Sequence, residues 1–182
     1  MAADPELNGV ANAWPIDLPL HELGRGPVER RMVAEGPALA RIAAAVGLDA
    51  LKSLEATVQV TPWLDGAEIR GRWSAEVVQT CGISLEPFDS RLAGDFLVRA
   101  VHGDSQAGGG EADHDLNLDP DAEDPPDTIE NGVLPLGAYV VEDLSLAVDP
   151  FPRKPGVEFE APDLPKEPSP FAALAQLKPR ET

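Results

Sequence analysis

The chain has 182 residues and a formal net charge of −18, and 43% of its residues are hydrophobic. A surface this negative repels phosphate backbones and anionic membranes, so the composition argues against a nucleic-acid-binding or membrane-surface protein. It favours a basic partner, or it serves solubility alone.

The start of the chain does not resemble a secretory signal. Asp4 and Glu6 stand where a signal peptide carries positive charge, and no apolar segment follows them. No later stretch approaches the length that spans a bilayer. We therefore expect a soluble, cytoplasmic protein.

Two short strands and a helix are predicted in the N-terminal part. Residues 14–20 are kept extended by prolines and have apolar side chains at every second position, which favours an edge strand. Residues 27–33 predict a second strand. Pro37 stands near the start of a predicted helix, whose apolar positions recur at helical spacing until Gly47.

The clearest pattern predicts a long β-hairpin over residues 54–77. Apolar and polar residues alternate on both sides of Asp65-Gly66, a pair preferred in two-residue type I′ turns. With these two as the loop, the numbers of opposed residues sum to 131, so that Val58 faces Trp73. Both apolar rows then lie on one face of the sheet, as a single buried face requires.

The pattern changes twice after the hairpin. A third strand is predicted over residues 92–101, while the link from Cys81 to Pro87 either continues the sheet or interrupts it with a bulge. Residues 103–130 contain ten acidic residues and no Lys or Arg. Dense like charge with few apolar groups cannot offset the entropy lost on ordering, so a disordered loop is expected there.

A second amphipathic helix is predicted from Leu136 to Asp149 and ends before the prolines that follow. Close to the C-terminus, a short helix would align Phe171, Leu174 and Leu177 on one side. A helix so short is marginal alone and needs a surface to dock on.

These elements predict an α+β fold. An antiparallel β-sheet built on the long hairpin is packed against two amphipathic helices, at residues 37–47 and 136–148, with Trp73 and Val58 near the centre of the core. The expected organisation is a flexible N-terminus at 1–13, a single domain at 14–149 that contains the acidic loop, and a Pro-rich tail at 150–182.

Catalytic and metal-binding patterns are missing from the sequence. His21, His102 and His114 are far apart, and there is no nucleophile elbow, phosphate-binding loop or Cys/His metal spacing. Ser84 stands where a second cysteine would complete a C-x-x-C pair with Cys81, which favours a buried structural thiol over a reactive one. We therefore expect neither enzymatic activity nor a cofactor.

The acidic loop also allows an alternative, calcium binding. Six of its residues occupy the ligand positions of an EF-hand loop: Asp113, Asp115, Asn117, Asp119, Asp121 and Asp124. Leu118 stands where the sharp turn requires glycine, and neither flank is predicted to be helical. Solvated charge is therefore the favoured interpretation of this stretch.

Three stretches together resemble the YceD family, the large ribosomal RNA subunit accumulation proteins. The first is Cys-Gly-Ile-Ser-Leu-Glu-Pro-Phe at residues 81–88, in which Cys81, Leu85, Glu86 and Pro87 match the family motif except for its second cysteine. The second is an acidic segment at residues 129–146 that runs into the predicted helix, and the third is Pro-Phe-Ala-Ala-Leu-Ala-Gln-Leu-Lys at residues 170–178. The resemblance implies a role in accumulation or maturation of large-subunit ribosomal RNA and supplies no catalytic residues.

Charge and resemblance combine into one expected function, with an alternative. The protein would bind a basic ribosomal protein or an assembly intermediate of the large subunit, directly or together with ribosomal RNA. Candidate contact residues lie in the acidic loop and the last segment: Asp113, Asp115, Asp119, Asp121, Glu123, Asp124, Phe171, Leu174 and Leu177. The alternative is direct ribosomal RNA binding through Arg70 and Arg72, which share the polar face of the hairpin.

Overall fold

The computed structural model describes Gly9 and residues 12–103 and 125–159. The elements with both ends in the described part of the chain are seven strands, two α-helices and one 3₁₀ helix. The strands are β1 (Leu18–Pro19), β2 (Val28–Val33), β3 (Ala50–Trp63), β4 (Gly66–Thr80), β5 (Pro87–His102), β6 (Asp127–Ile129) and β7 (Val133–Leu134). The helices are the 3₁₀ helix (Leu20–Arg25), α1 (Pro37–Ala45) and α2 (Leu136–Ala147).

The main sheet has the strand order β2-β3-β4-β5-β6, and β1 pairs with β7 in a separate two-stranded sheet. Every neighbouring pair is antiparallel except β5 with β6, which is parallel. The fold is α+β, as predicted. None of the helices within the described ranges is long and apolar enough to cross a membrane.

The predicted hairpin forms, but its register was predicted wrongly. The two loop residues are Leu64 and Asp65, so that Trp63 pairs with Gly66 and Ala56 faces Trp73. Leu64 takes the left-handed conformation that the turn needs, with φ of 51°. The partner of each residue is therefore two positions earlier than predicted, and a shift of two leaves every side chain on its predicted face.

Gly66 explains why the register differs. A Cβ at this position would lie 1.9 Å from the backbone oxygen of Ala100 on β5. The glycine therefore serves the close approach of two strands and not the turn, as is common for glycines within strands.

The core lies between the inner face of the main sheet and the two α-helices. The large side chains that are fully buried come from both layers: Leu18, Ile42, Leu54, Val58, Val60, Ile69, Val77, Leu134, Leu136, Val140, Val141 and Leu144. Val58 is completely buried and Trp73 nearly so, which confirms their predicted positions in the core. Leu92, Phe96, Val98 and Ala100 also face the core from β5.

The segment at the start of the described chain packs against α2. Gly137 donates its backbone N–H to the Ile16 carbonyl at 2.9 Å, and the Trp14 side chain is buried in the core. A Cβ on Gly137 would lie 1.9 Å from the Trp14 carbonyl oxygen, so only glycine permits this contact.

Two predicted elements differ from the structure. Only Leu18–Pro19 of residues 14–20 form a strand, and the chain turns into the 3₁₀ helix at Leu20. The expected disorder through residue 130 is wrong for its last part, because Asp127–Ile129 form β6 and bury Ile129 beside the end of β5. The acidic residues at 104–124 and the predicted C-terminal helix lie outside the described residues.

Candidate functional site

A groove with a volume of about 560 Å³ runs along β5, between that strand, α2 and residues 125–127. Phe96, Leu97 and Val98 contribute from the strand. The helix contributes Tyr139, Glu142, Asp143 and Leu146. These four occupy positions i, i+3, i+4 and i+7, and therefore form one stripe along the helix, while other positions face the core.

The groove is negative and partly apolar. Asp127, Glu142 and Asp143 supply carboxylates, whereas Arg99 is the one cation among the described residues that line it. The Arg99 guanidinium is already engaged, because it donates to Glu68 at 3.2 Å and lies over the Trp63 ring at 5.2 Å. The groove therefore favours a ligand that brings positive charge.

Hydrogen bonds fix the walls of the groove in place. The Trp73 Nε1–H donates to Asp143 Oδ2 at 2.6 Å, which ties α2 to the centre of β4. Burial raises the pKa of Tyr139, and the Asp127 carboxylate, which is hydrogen-bonded to its hydroxyl, raises it further. Tyr139 therefore remains a neutral hydroxyl that links α2 to β6.

The outer face of the main sheet carries the two arginines of the alternative RNA interpretation. Arg70 donates two hydrogen bonds to Glu68, and Arg72 is exposed. Cations and anions are equally numerous on this face of β2 to β5: Arg31, Lys52, Arg70, Arg72, Arg91 and Arg99 against Glu29, Glu55, Glu68, Glu76, Asp89 and Asp95. Such a face is balanced, and it does not offer phosphate a cluster of cations.

The family-motif residues form a tight turn at the end of β4. Cys81 is fully buried, as predicted, and its Sγ accepts backbone N–H groups of Ile83, Ser84 and Lys154 at 3.3 to 3.5 Å. These donors, above all that of Ser84, lower the pKa of the thiol to about 6. The turn therefore stabilises a thiolate that is shielded from solvent.

The same turn holds the chain that follows α2. Gly82 donates its N–H to the Pro152 carbonyl at 2.9 Å, and the Lys154 ammonium pairs with Glu86 at 2.8 Å. Leu85 is exposed with φ of 58°, and Pro87 begins β5. Residues 152–154 are thus packed against the turn. No group of three metal-ligating side chains occurs within the described ranges.

The groove is lined by residues other than the predicted contact residues, which the structure does not test. The six acidic candidates at 113–124 and Phe171, Leu174 and Leu177 all lie outside the described residues. Sequence reasoning missed Asp127, Tyr139, Glu142 and Asp143. The helical spacing of the last three was visible in the sequence, but their position beside β5 depends on the tertiary fold. His21 lies in the 3₁₀ helix and His102 at the end of β5, on separate elements.

No protein-family model matches this sequence, and no curated protein or solved structure is detectably similar to it. The resemblance to the YceD family therefore stays a prediction.

Proposed function

We propose that this protein is a non-enzymatic, cytoplasmic ribosome-assembly factor. It supports accumulation and maturation of large-subunit (23S) ribosomal RNA by binding a basic ribosomal protein or an assembly intermediate. The observation that carries the proposal is the acidic and partly apolar groove between β5 and α2, in a chain with a net charge of −18. The motif resemblance supplies the ribosomal context.

The groove supports a polypeptide partner on two grounds. Leu146 and Leu97 are exposed beside Glu142 and Asp127, so the surface offers apolar contact and negative charge together. Lysine and arginine side chains combine an apolar stem with a cationic head and fit such a surface. Naked RNA carries neither an apolar stem nor positive charge and would be repelled.

Capture of large-subunit proteins tests this proposal. The full chain is immobilised and offered either RNA-free large-subunit proteins or bare 23S RNA. We expect capture of basic proteins at about 0.05 M salt and its loss near 0.5 M, because added salt shortens the Debye length. The expected result with bare RNA is no retention.

Matched charge variants connect capture to the groove. Glu142→Gln removes one carboxylate from the groove, and Glu29→Gln makes the same change on β2, at the opposite side of the sheet. We expect the first variant to lower affinity roughly two- to fivefold and the second to leave it unchanged. If no ribosomal component is captured even at low salt, the proposal is wrong.

Direct RNA binding through Arg70 and Arg72 remains the alternative. Arg72 is exposed, which favours it, but Glu68 engages Arg70 and the outer face is balanced. The double variant Arg70→Ala/Arg72→Ala should therefore leave retention of bare 23S RNA at its background level. Loss of a measurable RNA affinity in this variant, with a smaller dependence on salt, would establish the alternative.

A further inference from the structure

Among the residues that the structure describes, no strand pairs with one edge of the main sheet over most of the length of β5. β5 pairs with β4 from Pro87 to Ala100, whereas β6 covers its other side only at residues 100–102. Within the described chain, residues 88–98 form no backbone hydrogen bond to any element other than β4. Along this stretch of about 35 Å, alternate residues direct their N–H and C=O groups away from the sheet.

Two prolines before β6 explain why its pairing with β5 stops at residue 100. Pro125 and Pro126 precede β6 and have no amide hydrogen to donate, so the β6 ladder cannot extend toward residue 98 in the ordinary way. The opposite edge of the sheet is shorter, because its edge strand β2 has only six residues. Long open edges invite pairing and are usually short, covered or interrupted in stable proteins.

The open edge and the groove form one surface. Phe96 and Val98 belong both to the edge strand and to the groove, and the α2 stripe containing Glu142 and Leu146 stands beside them. A strand added to β5 would direct every second side chain toward that stripe and the intervening side chains toward the outer face. Leu146, which is 80% exposed, is available to the row that faces the α2 stripe. Leu97, which is 49% exposed, is available to the row on the outer face.

We propose that an extended, basic segment of a partner protein binds here by adding a strand to the open edge of β5. The inference rests on the proposed function, in which the partner is a basic protein, and it specifies how that protein is bound. Backbone hydrogen bonds along residues 88–98 supply affinity. Lys or Arg at alternate positions lay their stems on Leu146 and direct their cations to Glu142 and Asp127.

Charge selects this occupant over a second copy of the chain. Asp95 on the outer side of the edge and Glu142 in the groove form no ion pair within the described residues. Pairing β5 with its own copy would bring together two chains that each have a net charge of −18. A basic strand instead neutralises the carboxylates of Asp95 and Glu142.

The test uses the full chain and two synthetic peptides of eleven residues that alternate Lys with Val. One peptide is unmodified, and the other is N-methylated at alternate residues, so that one of its edges cannot donate hydrogen bonds although its charge is unchanged. Affinity is measured by calorimetry, and amide hydrogen exchange of residues 88–98 by NMR. The variants Glu142→Gln and Glu29→Gln serve as the matched pair.

We expect alternate amides of residues 88–98 to exchange at least about tenfold more slowly when the unmodified peptide is bound. N-methylation should weaken binding at least about tenfold, because several backbone hydrogen bonds are lost. Glu142→Gln should weaken it roughly two- to fivefold and Glu29→Gln not at all.

The opposite results separate two failures. If both peptides bind equally and the β5 amides are unaffected, strand addition is wrong, although the proposed function stands. If the peptide does not bind, a captured ribosomal protein is used in the same exchange measurement, and unprotected β5 amides overturn strand addition. Protection of these amides without any ligand, together with a dimer in sedimentation, would identify a second copy as the occupant. When nothing is captured at all, the proposed function itself fails.

Discussion

On the inner face of the main sheet, alternate residues of β3 and β4 are apolar and almost completely buried against the helices. On the outer face, the residues between them form exposed ion pairs such as Arg31–Glu55 at 3.1 Å and Arg91–Glu76 at 2.8 Å. The same strands therefore supply both faces, but burial contributes far more free energy than surface ion pairing. The inner face determines stability, while the outer face carries solvated and largely balanced charge.

Truncating a side chain on the inner face should have the largest effect. Ile69→Ala removes buried methyl and methylene groups and leaves a cavity, so we expect a loss of about 2–5 kcal/mol in the free energy of unfolding. Gln59→Ala on the outer face is the control and should change stability by less than about 0.5 kcal/mol. Urea denaturation measures both, and similar losses in the two variants would contradict the comparison.

The hydrogen bond from Trp73 to Asp143 joins the inner face to α2. Asp143→Ala leaves the buried indole N–H without an acceptor, and we expect it to lower stability by about 1–3 kcal/mol. Asp143→Asn keeps an acceptor oxygen and should cost less. Thermal or urea unfolding of the two variants distinguishes them, and equal losses would mean that the hydrogen bond is not the cause.

Cys81 is a buried thiol that follows β4, and its titration tests whether three backbone amide donors stabilise the thiolate. Its thiol pKa falls from an ordinary 9.0 to about 6. Because the folded pKa is the lower one, the stabilising contribution is fully present above pH 9, declines as the pH falls, and is absent below about pH 6. Thiolate absorbance near 240 nm should titrate with a midpoint close to pH 6.

The variant Cys81→Ser supplies the control for that titration. It lacks an ionisable thiol, so the part of the pH dependence of stability between about pH 6 and 9 that comes from Cys81 should vanish. Urea denaturation of both proteins across this range measures the difference. A thiol that titrates near pH 9 in the folded protein would show that the three amide donors do not hold a thiolate.

A single ion pair on the outer face should have the smallest effect. Arg91→Ala removes the contact with Glu76, in which the arginine side chain is 85% exposed, and should lower stability by at most about 1 kcal/mol. The difference should shrink in high salt, because screening weakens exposed pairs. A loss as large as that of Ile69→Ala would refute the distinction between the faces.

The sequence allowed the faces of the strands to be predicted, but not their register. Alternation at residues 54–60 and 69–77 assigns each side chain to a side, and that assignment is confirmed. Alternation has a period of two, however, so a shift of two residues fits it equally well. The deciding feature, the contact of Gly66 with Ala100, depends on β5, which is far along the chain.

The candidate site was less accessible to sequence reasoning for a similar physical reason. The stripe of Tyr139, Glu142 and Leu146 is present in the helical pattern, but its meaning depends on the open edge of β5 beside it. β6 was missed because its three residues follow a strongly acidic stretch, where local composition indicates disorder. Parallel pairing with residues 100–102 and burial of Ile129 outweigh that local tendency.

The contact of Trp14 and Ile16 with Gly137 has a consequence for synthesis of the chain. More than a hundred residues separate the two sides of this contact, so Trp14 and Ile16 cannot form it until Gly137 has left the ribosome. Until then a nascent chain exposes an indole that the finished protein buries. Contacts of such long sequence separation slow folding and leave apolar surface open to aggregation, so we expect chaperones to act on this segment of the nascent chain.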